Sequence, residues 1–103
     1  GRILLLAIED VLYLKAELKY VTARTLERDY VLDESLVQLE QEFPQRLLRL
    51  HRNCLVARAA VQGVERVGEP DAEGHWEVLL KGVDERLPVS RRQWPAVRQA
   101  LRL

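Results

Sequence analysis

The chain has one cysteine, Cys54, and two histidines, His51 and His75, among its 103 residues. A lone cysteine excludes an internal disulfide, and with only two histidines beside it the soft ligands are too few for a structural zinc site. No metal, cofactor or redox chemistry is expected. Long hydrophobic runs are missing too. The longest covers residues 3–8, far short of the roughly 20 residues of a membrane helix, and no small-residue cleavage site follows it. That run is expected to be a buried strand, and the chain a soluble cytoplasmic one with no membrane partner. Internal repeats, low-complexity segments and linkers are likewise absent.

A composition of 48% hydrophobic and 31% charged residues is that of a folded domain, and this length buries enough apolar surface for one core without staples. One domain over residues 1–103 is expected. The formal net charge is zero, which taken alone argues against a polyanionic partner. The distribution argues otherwise. Residues 43–63 hold Arg46, Arg49, Arg52 and Arg58 with no acid, and residues 86–103 hold Arg86, Arg91, Arg92, Arg98 and Arg102 with none. Everything else carries a charge of −9, so a basic face opposes an acidic one if the two stretches meet. At close range a polyanion responds to the local face, because salt screens charges beyond about 8 Å. Charge alone leaves a nucleic acid and a merely solvated arginine face both open.

Residues 2–8, 11–17, 20–25 and 28–32 are rich in Val, Ile, Leu and Tyr and are bounded by polar pairs, which predicts strands, the last two joined as a hairpin across Leu26 and Glu27. Ser35 with Gln38 three residues on is a capping-box signature. It predicts a helix in which Leu36, Leu39 and Phe43 share a face and which Pro44 ends. Its glutamates read as a solvated face, not as paired catalytic carboxylates. Short apolar segments at 47–50 and 54–56 flank the polar break His51-Arg52-Asn53. Residues 61–67 and 75–80 predict strands around an exposed loop at 68–74, and a turn at 81–84 leads into a strand at 85–89. Ser90 is expected to cap a last helix with Trp94, Val97 and Leu101 on one face, Arg91, Arg98 and Arg102 off it, and Pro95 in the first turn.

Three segments in this order resemble the LytTR-type DNA-binding domain of bacterial response regulators. They are Ile8-Glu9-Asp10-Val11-Leu12-Tyr13-Leu14-Lys15-Ala16-Glu17 with Lys19-Tyr20-Val21; Arg49-Leu50-His51-Arg52-Asn53-Cys54-Leu55-Val56; and Leu87-Pro88-Val89-Ser90-Arg91-Arg92. With the strand pattern they cover nearly the whole chain. The resemblance implies a mainly β fold with short helices, elongated and antiparallel, in which loops at sheet edges enter successive major grooves. No helix-turn-helix pairing is present, which agrees. By position, the resemblance implies that Lys19, Arg52 and Arg92 contact base edges and that Lys15, Tyr20, Arg49, His51, Asn53, Ser90 and Arg91 contact the DNA backbone. An arginine fork pairs with O6 and N7 of guanine, which suits the reading role. Strand alternation is expected to separate readers from their phosphate-holding neighbours. The implied partners are double-stranded promoter DNA and, in a full-length regulator, an upstream receiver domain and its histidine kinase. The receiver lies outside these residues, so the chain reads as an excised output domain that binds a half-site as a monomer, with a dimer on full DNA sites.

Rival readings attach to the same residues. Arg52 and Arg92 are surface arginines if the motifs are set aside, and His51 is either a DNA contact or a half-buried structural histidine. Tyr20 reaches a phosphate or closes its hairpin. Trp76 and Trp94 read as core packing, since a duplex offers no unstacked base to them. A His51–Cys54 nucleophilic dyad would need an orienting third group and an activated thiol, whereas Cys54 precedes apolar Leu55 and Val56, so no enzyme is expected. A protein-interaction or RNA-binding module using the same basic face is the other class, although no RNA-binding signature is present.

Overall fold

Eight short strands and two helices are found in the computed structural model, which describes residues 5–68 and 74–103. Strands β1 (Tyr13–Ala16), β2 (Val21–Arg24) and β3 (Asp29–Leu32) form a meander, and α1 (Leu36–Glu42) crosses to the hairpin β4 (Leu47–His51) and β5 (Cys54–Ala57). Strands β6 (Val61–Val67), β7 (His75–Leu80) and β8 (Arg86–Val89) make a second meander before α2 (Trp94–Ala100). All pairings are antiparallel. The sheets run β3-β2-β1-β5-β4 and β6-β7-β8, in an elongated body of 55 × 27 × 25 Å. This is the expected fold class.

The local chemistry explains most boundaries. Thr25 Oγ1 donates to the Arg28 carbonyl at 2.8 Å and accepts from the Arg28 N–H at 3.2 Å, closing the Leu26-Glu27 hairpin turn. The capping box forms as read: Ser35 Oγ accepts from the Gln38 N–H at 3.1 Å and Gln38 Oε1 from the Ser35 N–H at 2.7 Å. Those bonds satisfy two of the donors a helix start leaves unpaired. Gly82 has φ +81°, and a Cβ there would sit 2.9 Å from Leu26 Cδ2, so glycine lets the 81–84 turn lie against the β2–β3 turn.

One core joins both sheets, with Leu14, Leu50, Leu55, Val56, Val78 and Val97 fully buried. All four residues of β5 are buried, because it lies between β1 and β4 with both faces covered. Helix α1 packs against β1, β4 and β5, while β8 and α2 pack on β4. At the far end of β1, Tyr13 donates its hydroxyl proton to Glu85, and Arg24 Nε donates to the other oxygen of that carboxylate at 2.8 Å. Both hydrogen bonds hold the Glu85 carboxyl below its ordinary value, and they tie the 81–85 turn to the first sheet.

Three expectations are corrected. Residues 5–7 pair with no strand, Leu5 is 94% exposed, and Ile8–Asp10 is a single tight helical turn, so this part of the 2–8 run is not a buried strand. The Asp10 and Val11 N–H groups bond back to the Ala7 and Ile8 carbonyls and bend the chain before a ladder can form. Residues 2–4 of that run, like 69–73 of the exposed loop, lie outside the described residues. Ser90 caps as expected, its Oγ accepting from the Gln93 N–H at 3.2 Å, but it caps a turn at 91–93 that precedes α2. Pro95 does fall in the first turn of α2. Finally, Arg52 lies in the β4–β5 turn and Arg91 and Arg92 in the 91–93 turn, so strand alternation separates neither pair; only Arg49 is on a strand.

Candidate nucleic-acid interface

One end of the five-stranded sheet gathers the three sequence segments. Register sets this: Ala16 pairs with Val21 across β1–β2, and Lys15 with Cys54 across β1–β5. The Glu17–Tyr20 turn and the Arg52-Asn53 turn therefore emerge on the same edge, closed by Glu17 N–H to Tyr20 O at 2.7 Å and Ala16 N–H to Asn53 O at 2.8 Å. The third segment comes from the other sheet. The Ser90 N–H donates to the Leu50 carbonyl at 3.0 Å, which docks the end of β8 on β4 beside the Arg52 turn. The two acid-free stretches thus meet in space. From β2 to β4 the edge spans three interstrand steps, about 14 Å, with the Ser90 turn beyond.

Lys15, Lys19, Tyr20, Arg52, Asn53, Arg91 and Arg92 are exposed on this end, whereas His51, Arg49 and Ser90 are half-buried. Lys19, Tyr20, Arg49 and Arg52 line a shallow groove of about 350 Å³ together with Asp33, Glu34 and Ser35 at the β3–α1 connection. Those two acids on the rim were not singled out in the sequence. Other arginines of the basic stretches are committed elsewhere: Arg46 pairs with Glu9 at 3.3 Å, and Arg86 with Glu65 at 3.2 Å and Glu77 at 3.6 Å. Arg52 and Arg92 have no ion pair among the described residues.

Arg49 is the surprise of the site. Its side chain is only 14% exposed, with Nη2 and Nε on the two oxygens of Glu40 at 2.8 and 3.4 Å and Nη1 on the Arg52 carbonyl at 2.8 Å. Glu40 was read from sequence as part of a solvated face. Nothing in the spacing of α1 could have revealed its partner, because α1 meets β4 only in the fold.

His51 Nδ1 accepts from the Asn53 N–H at 3.2 Å, so in the neutral ring the proton sits on Nε2, which is left as a donor. Burial first, then the charges of Lys15, Arg49 and Arg52, holds its pKa below the ordinary histidine value. Cys54 faces His51 across the turn as a register partner, at the end of a neighbouring strand. Burial pushes the thiol up to about 12, so it carries no thiolate near neutrality. Among the described residues, no three histidine, cysteine or carboxylate side chains gather to hold a metal ion.

Trp76 and Trp94 stack on each other with ring centroids 4.4 Å apart and planes 8° from parallel. Both are half-buried and pack against the core, as expected for packing residues.

Residues 1–102 match the LytTr DNA-binding domain family. The chain belongs to that family, whose members are non-catalytic DNA-binding modules associated with response regulators. Among curated proteins it is similar to the positive alginate biosynthesis regulatory protein of Pseudomonas aeruginosa, at 41% identity over 98 residues. That alignment covers 94% of this chain and 38% of the relative, so the chain spans well under half the relative's length. Among solved structures, the LytTr DNA-binding domain of a response regulator from Bacillus cereus has the same fold, with a TM-score of 0.81 over 95% of this chain and 86% of that one at 23% identity.

Proposed function

We propose that this chain recognises specific sequences in double-stranded DNA by inserting turns into the major groove, as the output domain of a cytoplasmic two-component regulator of transcription. The observation that carries the reading is the meeting of three separate segments on one edge, with the Ser90–Leu50 backbone bond joining the last to the second. Arg52 and Arg92, on exposed turns, present the fork that pairs with a guanine edge, and Lys19 reaches a base from the first turn. Lys15, Tyr20, Asn53, Ser90, Arg91 and the Nε2–H of His51 hold phosphates and fix register. Arg49, expected among the phosphate holders, has its fork occupied by Glu40 and the Arg52 carbonyl, and we assign it to the turn instead. In the full-length protein a receiver domain and its histidine kinase would set when this surface is presented.

Selection of bound duplexes from a random pool tests the reading, together with a comparison of duplex DNA, structured RNA and heparin at equal salt. An enriched motif bound more tightly than either competitor is the expected result. Equal binding to all three polyanions would reduce the site to a general basic patch, and preference for the RNA would replace the reading.

A further inference from the structure

The Arg52-Asn53 turn is fixed by three hydrogen bonds to its backbone. Asn53 O accepts from the Ala16 N–H at 2.8 Å, the Asn53 N–H donates to His51 Nδ1 at 3.2 Å, and Arg52 O accepts from Arg49 Nη1 at 2.8 Å. The β4–β5 ladder shifts register between Arg49 and His51, so the His51–Cys54 pair at the base of the turn is offset from the regular ladder below it. Of the three bonds, the one at Arg52 itself comes from a side chain tied to a different element: the other side of the same guanidinium lies on Glu40 of α1. A guanidinium suits this place because its planar fork clasps a carboxylate on one side and leaves Nη1 aimed at the carbonyl. Lysine, with a single nitrogen, cannot span both acceptors with that geometry.

We propose that Glu40 and Arg49 are positioning residues that set the base selectivity of Arg52, a role that rests on Arg52 being a base reader. The chain of contacts runs from α1 through the Glu40 carboxylate and the Arg49 guanidinium to the Arg52 carbonyl, and so fixes the direction in which the Arg52 side chain leaves the turn. Bidentate pairing to guanine tolerates little misorientation. Loosening the turn therefore costs selectivity at one base pair, while phosphate contacts made elsewhere on the edge persist.

The test uses the whole chain and the duplex motif selected from the random pool, with every base pair substituted singly. Arg52→Ala first identifies the base pair that Arg52 reads. Glu40→Gln and Arg49→Lys are then expected to lower discrimination at that base pair by about five- to twentyfold, part of the roughly 5–150-fold that a bidentate contact supplies. Discrimination at the other base pairs should stay within about twofold and the salt slope should not change. Glu42→Gln removes an equal charge from the same helix and should leave all discrimination as in the wild type. Glu40 is exposed enough, at 40%, for its variant to keep the fold, which thermal melting verifies. Unchanged discrimination in folded Glu40→Gln would overturn the proposal, as would an equal effect from Glu42→Gln, which would mean bulk charge. If Arg52→Ala loses no preference at any base pair while the wild type remains selective, the reader assignment itself is wrong and this role goes with it.

Discussion

Arg52 and Arg92 stand exposed on turns with no ion pair among the described residues, so removing either deletes the proposed DNA contact without leaving a buried partner stranded. Arg52→Ala or Arg92→Ala should cost about 1–3 kcal/mol on the best site and relax preference at one base pair each. Arg91→Ala should weaken all duplexes alike and lower the salt slope by about one. Binding on the matched and singly mismatched sites decides; relaxation by Arg91→Ala with a uniform loss from Arg92→Ala would shift the assignment by one residue. His51 gives a pH dependence. In the free domain its pKa lies below 6.5, chiefly through burial, and a phosphate at Nε2 favours the charged ring and raises it. The complex then binds more protons than the free domain, so affinity should rise as pH falls through the interval between the raised value in the complex and the lowered value in the free domain. His51→Gln should flatten the profile. For stability the sign is opposite: the neutral folded ring contributes fully above about pH 6.5 and that contribution is lost as pH falls through the lowered folded value.

Among the elements, α2 and the 91–93 turn depend on the Trp76–Trp94 stack, which fastens the start of α2 to β7. Trp94→Ala should destabilise the fold by up to about 3 kcal/mol, the low end for aromatic truncation since the ring is half-buried. It should also weaken DNA binding further than Trp94→Phe, which retains the packing. Near-UV circular dichroism follows the packing of Trp76, and its signal should collapse in Trp94→Ala and persist in part in Trp94→Phe. Elements governed by short-range chemistry were legible in the sequence: the Ser35–Gln38 box, the strand-forming composition of 11–17, the Leu26-Glu27 turn. The 2–8 run misled because an apolar run has no period, and Glu9 and Asp10 favoured a tight turn that no strand propensity records. Strand alternation also failed as a guide to Arg91 and Arg92, since β8 ends at Val89. The Glu40–Arg49 contact and the Tyr13–Glu85–Arg24 joint link residues 9, 72 and 61 positions apart, and only the packing of elements brings them together.

For the whole molecule, zero net charge conceals two acid-free stretches that meet in the fold, yet part of their charge is neutralised from within. Arg46, Arg49 and Arg86 are paired to glutamates, whereas the cations proposed to meet DNA are Lys15, Lys19, Arg52, Arg91 and Arg92. Log affinity should then fall with log salt at a slope of about −4 to −5. A slope shallower than about −2 would show that these turns do not meet one duplex face. The small edge also suits a half-site of about one helical turn bound by a monomer. Sedimentation at micromolar concentration checks this, since an obligate dimer without DNA would contradict it.

The bond from the Ser90 N–H to the Leu50 carbonyl has a consequence for the DNA itself. It leaves Arg52 and Arg92 rooted two residues from either side of one backbone hydrogen bond, within the contact of β8 and α2 on β4. That bond sets the separation of the two turns that carry them, like the marks of a ruler. If each arginine reads a guanine, as proposed, one base pair inserted between the two would displace the second by about 3.4 Å and rotate it by about 35°, and the backbone bond keeps the two turns from following together. Such a spaced site should bind like one from which a guanine has been deleted outright, whereas an insertion outside the two marks should cost nothing at them.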